Sequence, residues 1–362
     1  GLWIGFAGVF LGMGLGGIRY RSRELLLLMA GVLAAYFIGV SLLNAPFDPD
    51  NGHLPVIYFS DHWHWEPDTV LEPRYECWGG LLLALATVIV YTRWRRKDRL
   101  ALRLALWGIL GGALGFPLGE SVQAFHSWNP EIFKQGLWSR LGPFMNWWNM
   151  METTFGAVMG GILGLGLWIN RKRIQLTADA ETVSMPSAIE WILLAVHLTL
   201  LVAVEFMSFP AVDALYDLGL IMGVIPIVAI AGGRWWPYLM VFPVTLLPIA
   251  GKTVYELVYQ KSAIDPTLGW LVYLVIPLFL AIAAAVRFGR QPATRQTGRD
   301  FARFALLLNT WVYFYLNYAF FRYPWPWADW TGRTPNGIIF TVCALGLTAA
   351  ALTGRRARVA PE

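Results

Sequence analysis

The sequence predicts an all-α polytopic integral membrane protein, and three observations carry that fold class. Apolar residues make up 57% of the 362 positions and charged ones 14%, where a soluble domain runs near about a quarter charged. The apolar residues fall in runs of roughly 17 to 24, the length that crosses about 30 Å of hydrocarbon as a helix. Lipid admits no open irregular backbone at that depth, so helices are the expected form. The basic residues are also distributed unevenly between the connections, as membrane topology requires.

Taken in order, the predicted spans are about eleven: 2–18, 25–43, 77–92, 101–119, 148–169, 188–208, 213–232, 235–252, 268–286, 303–321 and 336–353. With the first span running outside to inside, the inward connections and the tail hold 21 of the 28 Lys and Arg. That asymmetry predicts a cytoplasmic C-terminus and, for a chain of this kind, the bacterial inner membrane. Of the 23 acidic residues, 16 fall on the outer side. Acidic residues contribute little to topology, so an outer face that handles something polar is expected. The chain opens on Gly1 and enters its first apolar run at once, without a basic n-region, which reads as a processed or partial chain rather than one starting with a signal peptide.

Glycine is concentrated in the first five spans. Gly5, Gly8, Gly12 and Gly16 recur at spacings of three and four, and Gly156, Gly160 and Gly164 at four, which predicts faces where helix backbones approach closely. The later spans carry Pro226, Pro243, Pro248 and Pro277 instead. The two halves therefore look differently built, residues 1–174 and 188–362, joined by a polar inner linker over 175–187. A single bundle is the alternative. Trp3, Trp78 and Phe155 each open a Gly-rich span that ends on a basic residue 15 or 16 positions later, and the starts lie 75 and 77 apart. This reads as three successive helix hairpins, a plan that often places a site at the repeat interface. Ordinary membrane grammar gives the same pattern.

The stretch 59–80, FSDHWHWEPDTVLEPRYECWGG, becomes the outer connection between the first two hairpins. In an extended segment His62, His64 and Glu66 share one side and Asp61, Trp63 and Trp65 the other. Two imidazoles and a carboxylate match a metal ligand set, a substrate-binding wall, or a plain interfacial loop. HxHxE is a weak motif, so no metal is assigned and no cofactor follows.

Three glutamates are the catalytic candidates. Glu120 follows Gly115, Pro117 and Gly119, which should disturb the helix just before it, and Gln123 lies one turn on. Glu152 opens the fifth span behind Trp147 and Trp148, and Glu76 sits at the matching place before Trp78. Ionisable groups at membrane depth are costly and usually face a cavity or a partner, and desolvation is one way a carboxylate is tuned for proton transfer. His126, Trp147 and Trp148 join Gln123 as substrate-binding candidates. Lys252 and Glu256, one turn apart, are expected to pair with each other and are read as a substrate clamp. His197 and Glu205 share a face of the sixth span, and Asn309, Tyr313 and Asn317 form a polar stripe on the tenth that would glue helices together. Phe321 to Trp330 is a second aromatic outer loop.

Cys77 and Cys343 lie in or beside apolar runs and suggest packing rather than a disulfide framework. No nucleotide loop, HExxH or GxSxG is present, and the basic excess is what topology alone produces, so no nucleic-acid partner is expected. The architecture, many spans under acidic and aromatic outer loops, resembles multi-spanning glycosyltransferases that use lipid-linked sugars, though no specific motif supports this. The expected function is a membrane-embedded group-transfer enzyme acting at the outer leaflet on a polar or lipid-linked substrate. A secondary transporter or channel, and a structural subunit of a membrane complex, are the alternatives.

Overall fold

The structure, a computed structural model, describes residues 1–18, 20–58, 67, 73–174, 245–291, 295–321 and 334–353, with isolated positions between 188 and 242. All regular structure among them is helical apart from one isolated bridge between Asp48 and His53. Five helices are long and apolar enough to cross a bilayer, and the chain is an integral membrane protein. It divides into two compact units, the first built from residues 1–197 and 209–233, the second from 198–208 and 234–362. The linker expected at 175–187 and the spans expected at 213–232 and, in most positions, at 188–208 lie outside the described residues.

In the first unit, α1 (Leu2–Leu15), α2 (Ser22–Gly39), α3 (Trp78–Val90), α4 (Arg99–Trp128) and α7 (Trp147–Asn170) carry the packing. Two short helices, α5 (Pro130–Phe133) and α6 (Gly136–Leu141), connect α4 to α7. Both α2 and α3 end in a π-helical turn, Val40–Asn44 and Tyr91–Arg95. The extensive faces are α1 on α4, α4 on α7 and α2 on α3. Thus the first two sequence hairpins pack mainly against each other, α1 with α4 and α2 with α3, instead of each closing on itself.

Glycine explains why these faces form. A Cβ at Gly8 would overlap the Leu104 carbonyl, and one at Gly12 would lie 2.6 Å from the Ala101 backbone nitrogen. Gly1 meets Ala113 at the other end of the seam, so α1 and α4 run antiparallel with backbones in contact. Gly39 meets the Gly79 backbone in the same way between α2 and α3. By contrast, nothing among the described residues lies within 4 Å of a Cβ built at Gly156, Gly160 or Gly164 on α7. On its other side α7 is close-packed, with Gly115 and Gly119 of α4 lying against Phe155 and Met151. Phe6, Val9, Leu25, Val32, Tyr36, Leu85, Val88 and Ala105 form the core that joins α1 to α4.

The antiparallel pairings sort the polar residues by end. One end gathers Arg21, residues 93–99, Arg103 and Arg171–Arg173. Its lock is Asp98, 2% exposed, which caps α4 by accepting from the Ala101 N–H at 2.9 Å and accepts the Tyr20 hydroxyl at 2.7 Å. Burial, and then the Asp98 carboxylate, push the Tyr20 phenol well above its ordinary value. At the other end Asn44, 1% exposed, takes the place of a missing side-chain cap on α3 by accepting the Gly79 N–H at 2.8 Å.

In the second unit, α8 (Thr245–Val254) continues into a π-helical stretch over Tyr255–Gln260, followed by α9 (Pro266–Gly289), α10 (Arg295–Phe320) and α11 (Thr334–Thr353). The Thr253 hydroxyl donates to the Ile249 carbonyl of its own helix at 2.7 Å and lies 3.3 Å from the Leu316 carbonyl, where α8 meets α10. Asn317 donates back to the Tyr313 carbonyl on its own helix at 2.9 Å, and it makes no interhelical bond among the described residues.

Three boundaries differ from expectation by eight or nine residues, one being the start of the tenth span, expected at 303 and found at Arg295. The fourth span, expected to end at 119, continues as helix to Trp128 despite Pro117. A proline costs one backbone bond there, and a membrane helix packed on its neighbours tolerates that loss. The eighth span, expected to end at 252, remains helical to Gln260.

Candidate functional site

The end of the first unit opposite the basic cluster brings several predicted residues together. Asn146 caps α7 by accepting the Asn149 N–H at 3.1 Å, which fixes the first turn carrying Trp147, Trp148 and Asn149. One turn on, Glu152 accepts the Trp148 indole N–H through Oε1 and the Asn149 amide through Oε2, each at 3.1 Å. Trp148 is 47% exposed, so a ring of fixed orientation stands at the surface with a carboxylate beside it.

The end of α4 faces this turn. Gly119 leaves so little room that a Cβ there would lie 2.7 Å from the Met151 carbonyl. In an antiparallel pair, one residue beyond each contact position turns to the same flank. Glu120 and Glu152 follow Gly119 and Met151, so the two carboxylates lie on one flank of the α4–α7 pair. Oε2 of Glu120 and Oε1 of Gln123 are buried and accept no hydrogen bond among the described residues. Gln123 is only 7% exposed. An unsatisfied buried polar group costs on the order of 1–3 kcal/mol, and two acceptors one helical turn apart ask for a donor between them.

The predicted aromatic residues belong to a larger cluster. His126 stacks on Trp147 with centroids 4.3 Å apart and planes 17° apart. Phe133 of α5 meets the edges of both, at 4.7 and 4.8 Å, and Trp138 of α6 lies 5.4 Å from Phe133. Phe133 and Trp138 were not among the sequence candidates, because helices of four and six residues carry no periodicity to read. The cluster occupies one face of His126 with Trp147, which gives that histidine a structural task. Asn129 closes α4 by donating to the Phe125 carbonyl, and Pro130 starts α5 at its first position, so the chain turns sharply enough to fold this cap back.

The other predicted residues stand apart from this group. Asp61, His62, His64, Glu66, His197 and Glu205 lie outside the described residues, as does all of the second aromatic loop beyond Phe321. Glu76 is half-buried just before α3. Nearby, Phe47 meets Tyr75 edge-on at 5.6 Å, and the Arg74 N–H donates to the Tyr58 hydroxyl at 2.6 Å, tying the two ends of the long connection. Burial and, secondarily, Cys77 raise the Tyr75 phenol. In the second unit the expected Lys252–Glu256 pair is not made, for Glu256 pairs with Lys261 at 3.8 Å and Lys252 is exposed. The helix becomes π-helical from Tyr255 to Gln260, where residues five apart are stacked, and this brings Lys261 over Glu256 as a competing partner.

No cluster of three or more His, Cys, Asp or Glu with metal-binding geometry occurs among the described residues. The sequence matches no family model, and no curated protein and no solved structure shows significant similarity to it.

Proposed function

We propose that the chain is a membrane-embedded enzyme that transfers a group to or from a polar or lipid-linked substrate at the outer leaflet. The observation that carries this reading is the pair of buried, unpartnered acceptors, Glu120 Oε2 and Gln123 Oε1, on the flank shared with Glu152. A substrate hydroxyl supplies the donor that both oxygens lack. Glu120 takes the hydroxyl proton as that oxygen forms its bond to the transferred group, and the leaving group departs with the electron pair of the broken bond. Trp148, held by Glu152, offers an exposed ring on which a sugar stacks.

The placement of the site follows from charge. The end bearing residues 93–99 and Arg171–Arg173 is assigned to the cytoplasm, which leaves the Glu120 end outside. Eleven spans, a cytoplasmic C-terminus and a bacterial inner-membrane location complete the reading.

The test is turnover in proteoliposomes with a panel of radiolabelled lipid-linked sugars, comparing wild type with Glu120→Gln and Glu152→Gln. Loss of about 10²-fold or more in rate for Glu120→Gln is expected of a general base. Substrate-dependent proton flux without chemical change would instead establish a transporter.

A further inference from the structure

A second feature lies toward the basic end, on the side of α2 and α3 that faces away from the core. There Leu27, Gly31, Ala35 and Ile38 of α2 face Ala86 and Val90 of α3 across a groove of about 740 Å³. Small side chains make the concavity: nothing among the described residues lies within 4 Å of a Cβ built at Gly31. From Glu24 to Ile38 the groove follows α2 for about 21 Å at about 1.5 Å per residue. One leaflet contributes about 15 Å of hydrocarbon, half of a core of about 30 Å. The groove therefore reaches from the headgroup level through the depth of one leaflet, the space of a single extended acyl chain.

Its mouth is charged. Glu24, Tyr91, Trp94 and Arg95 line that end. Glu24 is already engaged, since its Oε2 accepts the Tyr91 hydroxyl at 3.2 Å and pairs with Arg96 at 3.7 Å. Arg95 is exposed and makes no ion pair among the described residues, with Arg93 on the same turn. Trp94, 68% exposed, is placed as interfacial anchors are. Arg95 and the Arg96 that pairs with Glu24 thus set two guanidiniums against one carboxylate where the groove meets the headgroup layer.

We propose that this groove holds one acyl chain of an anionic phospholipid, whose phosphate is bound by Arg95. The pattern of an apolar slot between two packed apolar helices closed by uncompensated arginine is the one that selects acidic headgroups. The site is independent of the Glu120 region, at the opposite end of the helices.

The experiment is native mass spectrometry of the full chain released from nanodiscs containing equal phosphatidylglycerol and phosphatidylcholine. Wild type is expected to retain one phosphatidylglycerol per chain. Gly31→Trp, which fills the groove from an open position, is expected to lower retention at least tenfold with unchanged helicity. Arg95→Gln, on an exposed side chain that leaves the fold intact, is expected to keep a lipid and lose about fivefold in the preference for phosphatidylglycerol, the ratio that about 1 kcal/mol per basic residue gives. Retention in Gly31→Trp equal to wild type would overturn the proposal. So would an unchanged headgroup preference in Arg95→Gln, or wild type that carries no lipid because a protein segment fills the groove.

Discussion

Replacing Gly8 by alanine adds one methyl group where α1 touches α4, and the structure sets its cost. The new Cβ would overlap the Leu104 carbonyl oxygen and lie 3.1 Å from the Ala105 Cα, all backbone atoms that no rotamer change can move. The two helices must separate, and dispersion contacts along the whole seam from Gly1 to Gly12 weaken with them. Overpacking of this kind costs about 1–3 kcal/mol, and the alanine recovers about 1 kcal/mol of helix propensity at most. After that recovery a net loss of up to about 2 kcal/mol is expected. Gly160→Ala is the matched control, because a Cβ there meets nothing within 4 Å among the described residues. It should leave stability unchanged or raise it by up to about 1 kcal/mol. Both are measured by equilibrium unfolding in mixed micelles. Equal effects of the two substitutions would refute the assignment of the α1–α4 seam as the close-packed one.

Other outcomes are equally specific. Asp98→Ala removes the α4 cap and strands the buried Tyr20 hydroxyl, a loss of about 2–4 kcal/mol by the same unfolding assay, with Asp98→Asn recovering part of it. The raised Tyr20 phenol makes a contribution that is complete below the unfolded value of about 10 and is lost as pH rises past it, because the unfolded chain ionises first. Wild type should therefore lose stability above about pH 10 more steeply than Tyr20→Phe, read from unfolding curves at pH 8 to 11. Lys261→Ala should cost at most about 1 kcal/mol as the partner of Glu256, while Lys252→Ala changes nothing measurable. Glu152→Ala frees the Trp148 ring from its carboxylate, and a lipid-linked sugar should bind more weakly in a titration followed by calorimetry.

Much of the first unit was legible because hydropathy and glycine spacing report one-dimensional facts. The three spanning helices there, α2, α4 and α7, and the Gly5, Gly8 and Gly12 seam are of that kind, and so is the separation of a basic end from an acidic, aromatic one. Pairing between helices is not written in spacing, so the repeated hairpins suggested neighbours that the structure replaces with α1 on α4 and α2 on α3. A proline is a weak stop in a membrane helix, so the end of α4 was placed nine residues too early at 119 rather than at Trp128. The Lys252–Glu256 expectation missed the competing Lys261, which the π-helical stretch from Tyr255 to Gln260 brings over Glu256 from five residues on. At the candidate site, Glu120, Gln123, His126, Trp147, Trp148 and Glu152 were readable as unusual residues at span ends. Phe133 and Trp138 were not, nor was the Tyr20–Asp98 lock, since each depends on a chain reversal that leaves no periodic trace.

The central claim is that Glu120 and Gln123 hold a hydroxyl of a bound substrate. Its most direct test is the affinity of the protein in nanodiscs for a lipid-linked sugar, measured by calorimetry for wild type, Gln123→Leu, Glu120→Gln and the double variant. Each single change is expected to weaken binding about tenfold or more, about 1.4 kcal/mol, with the double variant losing less than the sum because both oxygens serve one donor. Undiminished affinity in both single variants would contradict it.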